Sequence, residues 1–201
     1  MAFLIKGLSK IKGCLMKPVL LCGWVVSIAF LFANFYPSLQ AGFEPDQVKA
    51  AYIYNLPNFV YWPDLQESVG EDFFVIKVLG NRSIARYLEV LTQGEKIKGL
   101  PISIVYIDSI YQAQNCKILF VDKSRENAVT DGQLVNLANN GILTVGESLD
   151  FLKKGGMVGL VPVGKRIVVV VNISMAQRAR MSFSSKLMKV AKVFQTIQGE
   201  K

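Results

Sequence analysis

Phe73-Phe74-Val75-Ile76-Lys77-Val78-Leu79-Gly80-Asn81-Arg82-Ser83 reads as a strand, a tight turn and the cap of a helix. Its first seven residues are mostly aromatic or β-branched, the types that pack well on a pleated surface. Gly80-Asn81-Arg82 makes the turn, and the Ser83 hydroxyl is placed to cap a helix over residues 84–92. The same alternation runs downstream. Strand signals at 102–107, 117–121 and 142–145 alternate with a helix at 125–139 and a short helix capped by Ser148. Asn140-Gly141 and Gly155-Gly156 are helix stops. The β-rich runs 157–163 and 166–171 flank Gly164-Lys165 and form a hairpin. Helical signals at 174–181 and 184–194 end the chain. Upstream, Pro45 opens a segment, 48–62, that is apolar on nearly every side, as a buried helix would be. Pro57 is expected to kink or split it, because proline cannot donate to the carbonyl of Ile53, and Trp62-Pro63-Asp64 to end it. Strands separated by helices imply a parallel sheet covered on both faces. The expected fold is therefore an α/β three-layer sandwich, with a mostly parallel sheet of five or six strands and a C-terminal hairpin.

The N-terminus carries a different signal. Lys6, Lys10, Lys12 and Lys17 precede an apolar stretch, 19–33, with no acid among them. A basic region followed by a short apolar one is the order of a secretory signal peptide, and the stretch is shorter than the roughly 20 residues a spanning helix needs. Residues 1–41 read as the signal, with cleavage near Ala41, and residues 42–201 as a single domain; an uncleaved anchor at 19–33 is the alternative. Without the signal, 19 basic residues face 15 acids, so a formal charge of +8 falls to +4. No long basic run or aromatic-rich RNA motif remains, which argues against nucleic acid as a partner. Cys14 and Cys22 fall in the signal, so Cys116 has no intramolecular disulfide partner. It reads as a buried thiol at a strand start, with an intermolecular disulfide as the alternative.

The chain has no histidine. That removes the commonest general base, Ser–His and Cys–His nucleophile pairs, and histidine zinc sites. No acid cluster has the spacing of a calcium loop. No cofactor or metal is expected, and no catalytic residue; an envelope hydrolase would have to rely on Asp108, Asp122 or Glu147. Ligands of open α/β sheets bind beyond the carboxyl ends of parallel strands, so Asn81, Arg82, Asp122, Ser124 and Glu147 are the candidate crevice. Each also makes sense as a turn or cap. Gly80-Asn81-Arg82-Ser83 has the strand-to-helix order of an anion loop but a single glycine. Leu187, Val190, Ala191 and Phe194 form one apolar helical face over 184–194. Lys186, Lys189 and Lys192, with Arg178 and Arg180 upstream, form a basic surface: either a solvated face or a contact for anionic lipid or an acidic partner.

Gln47-Val-Lys-Ala-Ala-Tyr-Ile-Tyr-Asn-Leu-Pro-Asn-Phe-Val-Tyr-Trp-Pro63 resembles the opening helix of the YfiR/HmsC-like periplasmic proteins. Val78-Leu-Gly80, Cys116-Lys-Ile-Leu-Phe120, Gly141-Ile-Leu-Thr-Val-Gly, Gly155-Gly-Met, Val171-Asn-Ile and Ser184-Ser-Lys-Leu-Met follow in that family's order. The resemblance covers nearly all of 45–194. It implies an exported α/β domain of the Gram-negative envelope that is not an enzyme. It implies that the domain restrains an inner-membrane diguanylate cyclase by binding its periplasmic part, holding down cyclic-di-GMP and biofilm formation. It also implies a homodimer, and an outer-membrane or peptidoglycan-associated lipoprotein that relieves the restraint. Asn58 stands where relatives often carry a basic residue. Arg178, Arg180 and Lys186, with Tyr52 and Asn55 of the opening helix, are the expected partner-binding residues. A small-ligand sensor or solute-binding domain using the strand-end crevice is the competing expectation.

Overall fold

Ile118, Leu119, Phe120 and Val121 are buried without exception, which only a strand covered on both faces allows. They form the centre of the sheet in a computed structural model that describes residues 44–62 and 72–195. The signal segment, its cleavage point at Ala41, the anchor alternative and Pro63-Asp64 lie outside the described residues.

In chain order the elements are α1 (Pro45–Asn55), β1 (Val60–Tyr61), β2 (Phe74–Leu79), α2 (Arg82–Thr92), β3 (Lys96–Ile97) and β4 (Leu100–Ile107). Then come β5 (Ile118–Val121), α3 (Asp131–Asn139), β6 (Leu143–Gly146), α4 (Leu149–Lys153), β7 (Val158–Val163) and β8 (Arg166–Val171). The last are α5 (Ile173–Arg178), β9 (Ser182–Phe183), α6 (Ser185–Met188) and β10 (Lys192–Val193). The main sheet runs β10-β8-β7-β6-β5-β2-β4-β3, and β1 pairs separately with β9. Strands β4, β2, β5, β6 and β7 are mutually parallel, while β8 returns antiparallel to β7. The chain steps from β2 outward to β4, then passes back across β2 to β5. That reversal puts a topological switch point between the carboxyl ends of β2 and β5, where doubly wound sheets hold their ligands.

Alternation sorts the side chains into two cores. Phe74, Ile76, Val78, Ile118 and Phe120 pack on one face with Ala50 and Ile53 of α1 and Ile84 and Leu88 of α2. Leu79, Leu119 and Val121 pack on the other with Leu134 and Leu137 of α3 and Phe151 and Leu152 of α4. The expected α/β fold with helices on both faces is what the chain adopts, but the sheet has eight strands instead of five or six. The additions are short. β3 joins β4 through Lys98-Gly99, both at positive φ (51° and 86°), the backbone of a primed hairpin turn.

Three local expectations change. The segment 48–62 does split at Pro57, with α1 ending at Asn55 and Pro57 in a 3₁₀ turn, but beyond it Val60–Tyr61 is already a strand and not helix. α1 is not buried all round either, because only Lys49, Ala50 and Ile53 of its residues are fully covered. The cap of α2 is Asn81, whose side-chain oxygen accepts from the Ile84 amide at 3.0 Å, so the helix starts before Ser83. The segment 125–139 divides into a 3₁₀ turn, Glu126–Ala128, and α3, because Thr130 and Gln133 form a capping box between them.

The largest correction is at the C-terminus. Residues 184–194 form only the single turn α6 and then β10. The outer edge of β8 offers free backbone groups. Val170 and Val171 pair there with Lys192 and Val193, and the Phe194 amide donates to the Val171 carbonyl at 2.8 Å. The expected apolar face is thereby dispersed: Leu187 enters the first core, Phe194 lies against the second, and Val190 points outward at 76% exposure.

Gly146, at the end of β6, meets the Phe151 ring so closely that a Cβ would overlap it, and the Cβ would lie 2.9 Å from Glu126 Oε1. Gly146→Ala should therefore cost about 2–3 kcal/mol through overpacking, read as a lower urea midpoint at unchanged slope. An unchanged midpoint would show that the ring gives way freely.

Candidate functional site

α1 crosses the carboxyl ends of the central strands and lays a charged residue on its buried side. Lys49 is 8% exposed, and its Nζ lies 2.7 Å from Glu147 Oε2 and 3.4 Å from Asp46 Oδ1. Asn81 Nδ2 donates to Asp122 Oδ1 at 2.9 Å and to Asp46 Oδ2 at 3.3 Å. Asp122 Oδ2 accepts from the Ser124 amide at 2.9 Å and its hydroxyl at 2.6 Å. Beside them Glu126, 2% exposed, accepts from the Glu147 amide at 2.6 Å and from Lys123 Nζ at 2.9 Å, and also from the Ser148 hydroxyl. The other oxygen of Glu147, Oε1, is buried without a partner among the described residues.

The electrostatics follow from this packing. Burial pulls Lys49 down, but the hydrogen bond and charge of Glu147, helped by Asp46, outweigh it and leave Lys49 above its usual 10.5. Burial dominates at Glu147 and holds its carboxyl above the usual 4.5 despite Lys49. Burial also acts to raise Asp122, but its bonds from Ser124 and Asn81 bring it below the usual 3.8. The cluster thus ties α1 to the switch point and fills the mouth of the crevice with the chain's own side chains.

Of the expected crevice residues, Asn81, Asp122, Ser124 and Glu147 meet in this cluster. Arg82 does not: its guanidinium lies 4.0 Å over the Tyr106 ring and 3.9 Å from Asp108 Oδ2, at the surface beside β4. Lys49, Asp46 and Glu126 belong to the cluster and were not singled out as site residues from sequence. The available signal was Lys49 standing one turn before Ile53 on a core-facing stripe.

The expected partner residues divide as well. Tyr52, Asn55 and Lys186 line one groove of about 430 Å³ between α1 and α6, with Val48, Ala51 and Val190. Arg178 and Arg180 are exposed but do not line it; Arg180 sits at φ 56° just after α5. Asn58 lines a separate hollow of about 390 Å³ with Tyr61, Lys98, Ser182 and Ser184. A third, of about 530 Å³, opens at the amino ends of the strands beside Gln114, Cys116 and Asn140. Cys116 is buried, donates to the Ala113 carbonyl at 3.3 Å, and is pushed up to about 12 by burial, so it packs as an inert thiol. Among the described residues no three His, Cys, Asp or Glu side chains group to hold a metal ion, and no helix is long and apolar enough to cross a membrane.

The family model of YfiR/HmsC-like proteins matches residues 46–192. The chain belongs to the YfiR/HmsC-like family. Members of that family are regulatory, periplasmic proteins of diguanylate cyclase signalling. No curated protein matches the sequence. Among solved structures, a conserved domain protein from Vibrio cholerae O1 biovar El Tor has a similar fold, with a TM-score of 0.51 at 13% identity over 75% of this chain and 60% of that one. The ABC domain from Streptococcus pneumoniae solved in complex with L-Trp scores 0.49 at 13% identity, with the same coverages. This YfiR/HmsC-like chain therefore spans about 60% of the length of each.

Two outcomes test the cluster. Lys49→Met leaves Glu147 buried and unpaired, and should cost about 3–5 kcal/mol, much of it recovered in Lys49→Met/Glu147→Leu. A single-variant cost below about 1 kcal/mol in urea unfolding would show the pair to be peripheral. The second concerns acid. Asp122 is depressed in the folded state, so its contribution is present above 3.8 and is lost as pH falls below it. Glu147 is raised and works the other way, regaining stability as it takes up a proton. Asp122→Asn should then flatten the loss of stability below about pH 4, measured as urea midpoints across the acid range. A variant curve as steep as the wild type would assign that loss to other carboxylates.

Proposed function

We propose that residues 1–41 export this protein to the periplasm, and that residues 42–201 form a single domain that restrains an inner-membrane diguanylate cyclase by binding its periplasmic part. The family match over 46–192 carries this reading. The site geometry supports recognition across a surface. Lys49 and its partners fill the strand-end crevice, whereas the groove between α1 and α6 is open and apolar. On this reading the protein acts without catalysis. Asp122 and Glu147 serve as structural anchors, and Asp108 is an exposed acceptor for the Tyr106 hydroxyl at 2.7 Å. It works as a homodimer, and an outer-membrane or peptidoglycan-associated lipoprotein that captures it releases the cyclase and raises biofilm formation.

One observation favours a small-ligand sensor as the second reading. Glu147 Oε1, buried just beyond the end of β6 and without a partner among the described residues, is an acceptor at the carboxyl ends of the strands, where ligands of such sheets sit. A polar metabolite engaging it would raise the melting temperature of the wild type, and Glu147→Gln would abolish that rise.

Deleting the gene should raise cyclic-di-GMP in cells that carry a periplasm-facing cyclase, and leave it unchanged in cells from which that cyclase has also been removed. Unchanged cyclic-di-GMP in the first strain would sink the proposed role.

A further inference from the structure

The charge of this chain is strongly asymmetric. Between Asp150 and Glu200 there are nine basic residues and no acid. That stretch builds one side of the molecule: strands β7, β8 and β10 at one end of the main sheet, together with α5 and α6. The groove between α1 and α6 opens within this region. Val48, Ala51, Phe59, Val169 and Leu187 make its wall apolar, and among the described residues Lys186 is the only charged one that lines it. Lys186 and Lys189 are exposed and have no acidic partner among the described residues. Val190 stands at the rim, 76% exposed. Val48, Ala51 and Tyr52 form a half-exposed apolar stripe on α1, on positions that the first core does not use. An apolar surface of this kind beside unpaired cations lacks a counterpart.

Resting on the function proposed above, we infer that this groove is where the cyclase docks. The occupant is an amphipathic segment of the cyclase's periplasmic part, with apolar side chains on one face and acidic residues flanking them. The apolar face fills the groove as a helix fills a hydrophobic cleft, and the acidic flank meets Lys186 and Lys189. The charge distribution disfavours a second copy of this chain, since a two-fold contact would set Lys186 near its own equivalent and bring two acid-free surfaces together. Shape disfavours an anionic bilayer. A hollow of about 430 Å³ is filled by projecting side chains, which a lipid surface does not offer. Tyr52 and Asn55 occupy the opposite wall from Lys186, so they orient the segment while the lysines set its register. Arg178 and Arg180 lie outside the groove and contribute to long-range attraction.

The test uses the mature protein and the purified periplasmic part of the cyclase. Val190→Asp and Lys186→Glu alter exposed side chains, so both variants should keep the wild-type melting temperature and yet bind at least about tenfold more weakly, a loss of roughly 1.4 kcal/mol. Lys165→Glu, in the β7–β8 turn, makes the same change in net charge as Lys186→Glu but away from the groove, and should bind within about twofold of wild type. Groove variants that bind like the wild type overturn the docking site and leave the proposed function standing. A wild type that does not bind the cyclase overturns both. Groove variants that convert a dimer to a monomer in light scattering, without weakening cyclase binding, assign the groove to a second copy and overturn the inference. Sedimentation with vesicles of anionic lipid that is lost in Val190→Asp, again with cyclase binding intact, assigns it to the membrane with the same consequence.

Discussion

The ion pair between Lys49 and Glu147 joins the first helix to the carboxyl end of β6, and the architecture of the site depends on it. Taking an ammonium and a carboxylate out of water is costly, and only close geometry with further hydrogen bonds offsets that cost. Here the geometry is close at 2.7 Å, and Asp46, Asn81, Asp122 and Glu126 extend it into a network that spans the ends of β2, β5 and β6. Hydrophobic contacts alone would let α1 slide along an apolar surface. A buried pair penalises every placement except the one that satisfies both charges. Because α1 is fixed in rotation, Val48, Ala51 and Tyr52 are held outward, and the groove beside α6 exists as a shaped surface.

The same network separates two uses of an open α/β sheet. Proteins of this architecture commonly leave the switch point empty for a ligand. In this chain a lysine from the covering helix enters it, and the exposed apolar surface lies instead against α1 and the C-terminal turn. That arrangement suits a protein whose business is with another macromolecule, in keeping with the regulatory family to which it belongs.

Much of the fold was legible in the sequence because its central signals are local. Ile118–Val121 is apolar without a break, Gly164 marks a hairpin between two valine-rich runs, and Asn140-Gly141 and Gly155-Gly156 stop helices where they stand. What failed was settled by tertiary partners. Leu187, Val190, Ala191 and Phe194 have helical spacing, yet the edge of β8 draws the intervening Lys192 and Val193 into an extended strand, and β-branched Val193 accepts that backbone readily. The strand Lys96–Ile97 went unread because Lys98-Gly99 is a less familiar primed turn than Asn-Gly. At the site, the strand-end rule found Asn81, Asp122, Ser124 and Glu147. Arg82, named by the same rule, turns away to Tyr106 and Asp108, because a sequence does not say which way a long side chain will turn. Lys49 escaped notice because a lysine on a helix is usually solvated, and its partner is distant in the chain.

The small sheet of β1 and β9 bears on the order in which the chain can fold. Val60 pairs with Phe183 and Tyr61 with Ser182, and the Ser184 amide donates to the Phe59 carbonyl at 2.8 Å. These contacts join the first described segment to nearly the last, so the loop they close contains almost the entire sheet. Such non-local pairing is formed against a large loss of chain entropy and makes folding slow. The knot of backbone bonds beside the groove cannot be tied until the C-terminal residues have been synthesised. Val60 and Tyr61, which follow α1 by only a few residues, therefore find their strand partners only once the last part of the chain is available.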